Sequence, residues 1–308
     1  MDNKKIYVIG HKSPDTDSVV SAIAYAEYLR GVGYDADPAV AGQINPETKF
    51  VLKKFGYHAP QILENAAGLA LALVDHNEQS QMVDGGDQAR IIEVIDHHKI
   101  NFQWNEPIIF MSQPLGSTAT IVSQRLLVAD DFKMTTNLAG MLLSAILSDT
   151  VVFKSPTCTP IDRQVAKRLA TIVGITDLLA FGIEVKKQKS SINGLTAAQV
   201  IHSDFKEFEA GALKFAIGQI EVVDLAEADA RRSELLAELD SEIKTAGYAF
   251  AILMATDIIN EGSQLLAAGD IAVVEKAFNV KLENGSIYIK GMMSRKKDAL
   301  PPLMEVLK

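Results

Sequence analysis

Three short stretches of this chain place imidazole and carboxylate side chains in patterns suited to holding metal ions. GHKSPDTDS (10–18) carries His11, Asp15 and Asp17, VDHNE (74–78) carries Asp75, and IDHHK (95–99) carries His97. A fourth group, Asp149, ends the apolar run LLSAILSD. Brought together, Asp15, Asp17, Asp75 and Asp149 would place four negative charges in one crevice, and packed carboxylates either take up protons or bind cations. Two divalent ions would balance them, with His11 and His97 adding neutral nitrogen ligands. Six side chains around two metals leave positions for water and substrate, the arrangement of a catalytic pair of ions about 3.5–4 Å apart that activates a bridging water. Mixed oxygen and imidazole donors favour Mn²⁺, Co²⁺ or a similar ion over Mg²⁺, which prefers oxygen. An aspartate at a helix C-terminus faces the negative end of the helix dipole, so Asp149 needs a positive neighbour.

The elements around these groups predict how they meet. KIYVIG (5–10), LALALVDHN (69–77), IIEVIDHH (91–98) and PIIFM (107–111) are apolar, strand-like runs, three of which end abruptly in acid or imidazole. His11, Asp15 and Asp17 are expected in a loop, with Pro14 disfavouring helix at Ser13 and a helical pattern starting at 19–33. Helical spacing also marks 117–130, 136–149 and 160–185. Alternation of strands and helices predicts an α/β domain whose largely parallel sheet is flanked by helices. Ligands bind beyond the carboxyl ends of the strands in such sheets, where three of the four groups fall. VKKQKSS (185–191) lacks apolar periodicity and reads as a linker. Beyond it, strands at 212–224, 248–259, 263–268 and 286–290 around a charged helix at 225–246 predict a smaller α+β domain with a mixed sheet. The expected boundaries are 1–186, 187–191 and 192–308.

Composition narrows the function classes. The chain has 308 residues, 48% of them hydrophobic, a net charge of -9 and one cysteine, Cys158. That is a compact globular chain, and its acidity argues against non-specific nucleic-acid binding. With no internal disulfide possible, no secretory leader in the opening residues and no run of ~18–20 apolar residues, the expectation is a cytoplasmic protein that does not span a membrane. Against this acidity the run SRKK (294–297) stands out, because a polyanionic substrate needs cations beyond the metals.

These motifs resemble the DHH phosphoesterase superfamily, named for its Asp-His-His, here Asp96, His97 and His98. GMMSRKKDALPPL (291–303), DFKEF (204–208) and GSTATI (116–121) are similar to its manganese-dependent, or family II, inorganic pyrophosphatases, and the likeness runs over essentially the whole chain. The resemblance implies a DHH-type catalytic domain and a DHHA2-type substrate-binding domain, with hydrolysis of pyrophosphate to two orthophosphates in the cleft between them. It implies two Mn²⁺ per subunit, Co²⁺ being possible, and a further Mg²⁺ or Mn²⁺ arriving with substrate. His11, Asp15 and Asp75 would hold one ion, and Asp17, Asp75, His97 and Asp149 the other, with Asp75 as the bridge. His98, Lys206, Arg295 and Lys296 would bind substrate and assist catalysis, and the chain would form a homodimer. Asp96 is a candidate to orient a ligand histidine, and His76 and Asn77 lie beside the metals. His58, His202, Trp104 and Cys158 read as surface or packing residues. The alternatives are a short-chain exopolyphosphatase or other DHH phosphoesterase, and a catalytically silent metal- or ligand-binding regulator.

Overall fold

The computed structural model describes residues 5–211 and 213–308. Residues 1–4, where a leader was sought, and Ala212, the expected start of a strand, lie outside them. The chain divides into two compact units, one ending at Lys189 and the other beginning at Ser190.

The first unit follows the order β1 (Ile6–Ile9), α1 (Thr16–Gly31), β2 (Ala36–Val40), α2 (Pro46–Lys54), β3 (Gln61–Ile62), β4 (Ala70–Val74), β5 (Arg90–Asp96), β6 (Ile109–Ser112), α3 (Thr118–Val128), α4 (Thr136–Asp149), α5 (Pro160–Val173) and α6 (Leu178–Ser190). Its six strands lie in the order β3-β2-β1-β4-β5-β6, every pair parallel. β4 is buried at every position, as an apolar strand covered on both faces must be. Strand order reverses between β1 and β4, and the crevice beyond their carboxyl ends is the natural ligand position. His11 follows β1 and Asp75 follows β4, so the two groups flank that switch point.

Three expectations for this unit need correction, the first being the helical stretch 160–185, which is broken after Val173 into α5 and α6. α1 begins at Thr16 rather than at residue 19, so Asp17 lies in its first turn and Asp15 is its N-cap, accepting from Ser18 N at 3.0 Å. The aspartate that ends the loop supplies the cap, and the positive end of the helix dipole suits the second acid. Most of segment 185–191 is not an irregular linker. It forms the last turns of α6, which is anchored by buried Phe181 and Val185 and runs on through lysines without apolar spacing.

The second unit runs α7 (Ala197–Ile201), β7 (Phe205–Ala210), β8 (Leu213–Val222), α8 (Ala226–Ala230), α9 (Arg232–Ala246), β9 (Phe250–Asp257), β10 (Gly262–Gly269), α10 (Ile271–Phe278), β11 (Ser286–Lys290) and α11 (Leu300–Val306). Its sheet, β11-β10-β9-β8-β7, is mixed, with only β8 and β9 parallel. One face buries Leu235 and Leu239 of α9, and the other Val274 of α10 and Leu303 of α11. The charged helix expected at 225–246 is broken at Arg231 into α8 and α9.

Packing in the first unit gives a test. Gly140 sits inside α4, where alanine would ordinarily be about 1 kcal/mol better. A Cβ there would lie 2.1 Å from Cε1 of Phe55, a buried ring that also packs edge-on against Phe181. Overpacking wins, and Gly140→Ala should lower stability by about 1–3 kcal/mol, read from the urea midpoint.

Candidate metal centre

Asp75 is the centre of the site. It is 2% exposed, and its φ of 61° puts a non-glycine residue in the left-handed region just past the end of β4. Such backbone conformations persist where surrounding structure imposes them, and the Asp75 N–H is held by the carbonyl of Ile95 at 3.0 Å. The two carboxylate oxygens face different imidazoles: Oδ2 lies 3.5 Å from His11 Nε2, and Oδ1 lies 3.5 Å from His97 Nε2. His11 Nε2 is also 3.7 Å from Asp15 Oδ1, and His97 Nε2 is 3.5 Å from Asp149 Oδ2. Two groups of donors therefore stand on either side of one carboxylate, His11 with Asp15, and His97 with Asp149 and Asp17.

Several of these donors are held from behind. His97 Nδ1 lies 2.9 Å from the Leu115 carbonyl. That contact requires Nδ1 to carry the proton, which leaves the Nε2 lone pair for a metal. Asp17 accepts from the backbone N–H groups of Thr118 (2.6 Å) and Ala119 (2.8 Å), at the N-terminus of α3. Thr118 Oγ1 donates to Asp75 Oδ1 at 3.0 Å. The α3 terminus is fixed in turn by buried Asp162, which accepts from Gly116 N and Thr120 Oγ1. After Asp149 the chain makes a left-handed turn, with φ of 49°, 50° and 68° at Val151, Val152 and Phe153. Such residues cost about 1–2 kcal/mol each. The turn is closed by Val152 N donating to Leu147 O at 2.7 Å.

The electrostatics follow from packing like charges out of water. Burial, together with the Asp75 and Asp149 carboxylates, raises the pKa of Asp17 well above the ordinary range. Burial and the Asp75 and Asp15 carboxylates push Asp149 up to about 7. Burial works against charge on His11 and His97, yet hydrogen bonds to Asp15 and Asp75 for the first, and to Asp75 for the second, raise each to about 10. Those same two imidazoles overcome the burial of Asp75 and hold it below the usual carboxylate range. Protons thus do the neutralising that divalent ions would do, and the donor set fits such ions: carboxylate oxygens and oriented imidazole nitrogens converging on an open cavity of ≈ 430 Å³.

The neighbouring residues take other parts. Asp96, fully buried, accepts from the His98 backbone N–H and lies 2.8 Å from His98 Nδ1, and Asn77 Nδ2 donates to its other oxygen. Asp96 therefore orients His98 rather than His97. His98 also lies within metal-binding distance of Asp75 and His97, but its Nδ1 is already engaged by Asp96. The bond to Asp96 outweighs burial and raises the imidazole's pKa. His76 is buried with Nδ1 against the Val74 carbonyl. His202 pairs with Glu242 on the surface, His58 is exposed, Trp104 stacks on Phe102, and Cys158 is a free, half-buried thiol.

In the second unit, Lys206 is exposed on β7, and Lys296 is exposed in the π-helical turn Arg295–Ala299. Arg295 is engaged: Nη2 donates to both oxygens of Asp204 at 2.9 Å, and Nη1 to the carbonyls of Asp204 and Ile217. Ile217 is the register partner of Lys206, so the guanidinium ties the strand bearing Lys206 to the turn bearing Lys296. Gln219 supports this turn by donating to the Met293 carbonyl and accepting from Arg295 N. Thr118, Asp162, Asp204 and Gln219 are absent from the sequence-based set of site residues. Thr118 follows the Ser117 N-cap, Asp162 completes a capping box with Thr159, and Asp204 opens the DFKEF motif, whereas Gln219 carries no sequence signal.

Comparison with known proteins agrees over nearly the full length. The profile of the DHH family N-terminal domain matches residues 5–146, and that of the DHHA2 domain matches residues 183–306. A protein of Methanocaldococcus jannaschii named manganese-dependent inorganic pyrophosphatase is 44% identical over 96% of this chain and 97% of its own. A Bacillus subtilis protein of the same name is 39% identical over 99% of both. The crystal structure of a Methanococcus jannaschii protein, described as a candidate family II inorganic pyrophosphatase, superposes with a TM-score of 0.62 at 42% identity, covering 98% of this chain and 99% of that one.

Protonation and metal binding compete for the same lone pairs. With His11 and His97 raised to about 10 and Asp149 to about 7, metal uptake near neutral pH must expel protons. Calorimetric Mn²⁺ titration of the metal-free protein in buffers of different ionisation heat should show release of roughly two to three protons at neutral pH, and affinity rising with pH. Binding without proton release would contradict this charge arrangement. By its domain profiles and its relatives, the chain belongs to the DHH family and, within it, to the manganese-dependent inorganic pyrophosphatases.

Proposed function

We propose that this chain hydrolyses inorganic pyrophosphate to two orthophosphates, with His11, Asp15, Asp17, Asp75, His97 and Asp149 holding two Mn²⁺ or Co²⁺ ions. The observation that carries the reading is the placement of Asp75, one oxygen toward each imidazole, as a carboxylate bridging two ions requires. Relatives named manganese-dependent inorganic pyrophosphatase support the choice of metal and substrate. When bound, the ions supply Lewis-acid charge and water of lowered pKa.

The chain's own residues do the rest. Asp17, Asp75 and Asp149 confine negative charge that divalent ions offset. His98, held at Nδ1 by Asp96, can donate from Nε2 to a phosphate oxygen when protonated, a form that the bond to Asp96 favours. Lys206 and Lys296 are movable ammonium groups for the phosphoryl oxygens, which gain charge as the anhydride breaks. Phosphate oxygens compete with Asp204 for the Arg295 guanidinium, a fork that suits either anion. A further Mg²⁺ or Mn²⁺ arrives with the substrate. The expected setting is the cytoplasm, and the expected assembly is a homodimer through an edge strand of the first unit.

Chelator-stripped protein should release phosphate from pyrophosphate only after Mn²⁺ or Co²⁺ is restored, and only slowly from tripolyphosphate or a phosphodiester. A preference for tripolyphosphate would move the chain to the exopolyphosphatases, and silence on all three would favour a binding protein. Asp75→Ala should lose most metal and nearly all turnover, and full activity with unchanged metal content would refute the site. Lys296→Ala should raise KM at least tenfold while leaving the Mn²⁺ content intact.

A further inference from the structure

Glu47 belongs to none of the ligand motifs, yet it is built into the ground beneath them. It occupies the first turn of α2, where an acid suits the helix dipole and would ordinarily face solvent. Here it is 2% exposed. Its Oε1 accepts two hydroxyls, Thr16 Oγ1 at 2.6 Å and Ser148 Oγ at 2.5 Å, while Oε2 lies 3.7 Å from Lys186 Nζ. The partners are telling. Thr16 separates Asp15 from Asp17, and Ser148 immediately precedes Asp149, so one oxygen ties together the two segments that carry three of the four clustered aspartates.

The connection leading into α2 is fitted to the same loop. A Cβ on Gly42 would lie 2.8 Å from the Lys12 carbonyl and 3.4 Å from Pro14 Cδ, so backbone rests directly on the residues between His11 and Asp15. Thr48 Oγ1 stands 3.1 Å from Thr16 Oγ1, and Asn45 caps the helix through Thr48 N. A buried carboxylate is a poor way to gain stability, because apolar residues of similar volume do as well or better. Its hydrogen bonds instead fix distances.

We propose that Glu47 is a positioning residue for the metal centre, setting the separation between the Asp15–Asp17 segment and Asp149 through the hydroxyls of Thr16 and Ser148. This rests on the metal-binding reading above, and its test reads metal affinity rather than turnover. Glu47→Gln keeps the volume but replaces one oxygen with an amide nitrogen. That nitrogen either donates toward the Thr16 and Ser148 hydroxyls, which already donate, or faces the Lys186 ammonium.

Mn²⁺ affinity of the chelator-stripped protein would be measured by calorimetry, beside its metal-free thermal midpoint. Glu47→Gln should weaken Mn²⁺ binding about 10- to 100-fold, the usual effect of losing a partner behind a ligand, and lower the metal-free midpoint only modestly, so that the protein remains folded at the titration temperature. Thr16→Val should reproduce part of that loss, and Thr16→Ser, which keeps the hydroxyl, should retain wild-type affinity. Affinity within about twofold of wild type in Glu47→Gln would overturn the proposal, as would equal losses in Thr16→Val and Thr16→Ser. Wild-type protein that binds Mn²⁺ yet leaves pyrophosphate intact would defeat the hydrolase reading alone and leave this comparison valid.

Discussion

Carboxylates brought together out of water repel one another, and the first unit is arranged around that repulsion. Asp17, Asp75 and Asp149 converge with Asp15 at the switch point of a parallel sheet, where neither strand ends nor helix packing can offset so much charge. In that surrounding the pKa values of both imidazoles and of Asp149 are raised, the imidazoles by Asp75 and its neighbours and Asp149 by burial and the nearby carboxylates. Divalent cations relieve the same crowding more completely, so metal binding is the release of a tension the fold itself creates.

Holding ligands that repel requires rigid backing, and the backing is mostly backbone. Asp17 rests on the first N–H groups of α3, His97 on the Leu115 carbonyl, and Asp75 is itself a left-handed residue pinned through its N–H to Ile95. Backbone groups cannot rotate away, unlike long side chains, so the donors keep their directions before any ion arrives. The strained turn at Val151–Phe153 belongs to the same pattern, with unfavourable local conformations sustained by the packed α4 that precedes them.

The second unit solves a different problem, that of presenting cations in an acidic chain. Its antiparallel β7–β8 register puts Lys206 opposite Ile217, whose carbonyl accepts from Arg295. Asp204 balances the guanidinium, and the π-helical turn after Ser294 leaves Lys296 and Lys297 exposed. Arg295 thereby joins two pieces of backbone.

Much of this could be read in the residues. Apolar runs ending in Asp and His locate β1, β4 and β5, because a buried parallel strand must be apolar throughout and its ligands must follow it. α4 begins and ends where its periodicity does, at Thr136 and Asp149. Short elements such as β2, β3 and α2 carry too few apolar positions to announce themselves, and the lysines of α6 conceal a helix that buried residues nucleate upstream. The sequence by itself determined which side chains could bind metal and that strands would deliver them to one edge, since residue chemistry and hydrophobic period are local properties. Only the tertiary structure decided that Asp75 divides its oxygens between two imidazoles, and that Glu47 and Asp204 stand behind the site. Those contacts join residues up to 101 positions apart, and their geometry exists only once separate elements have packed.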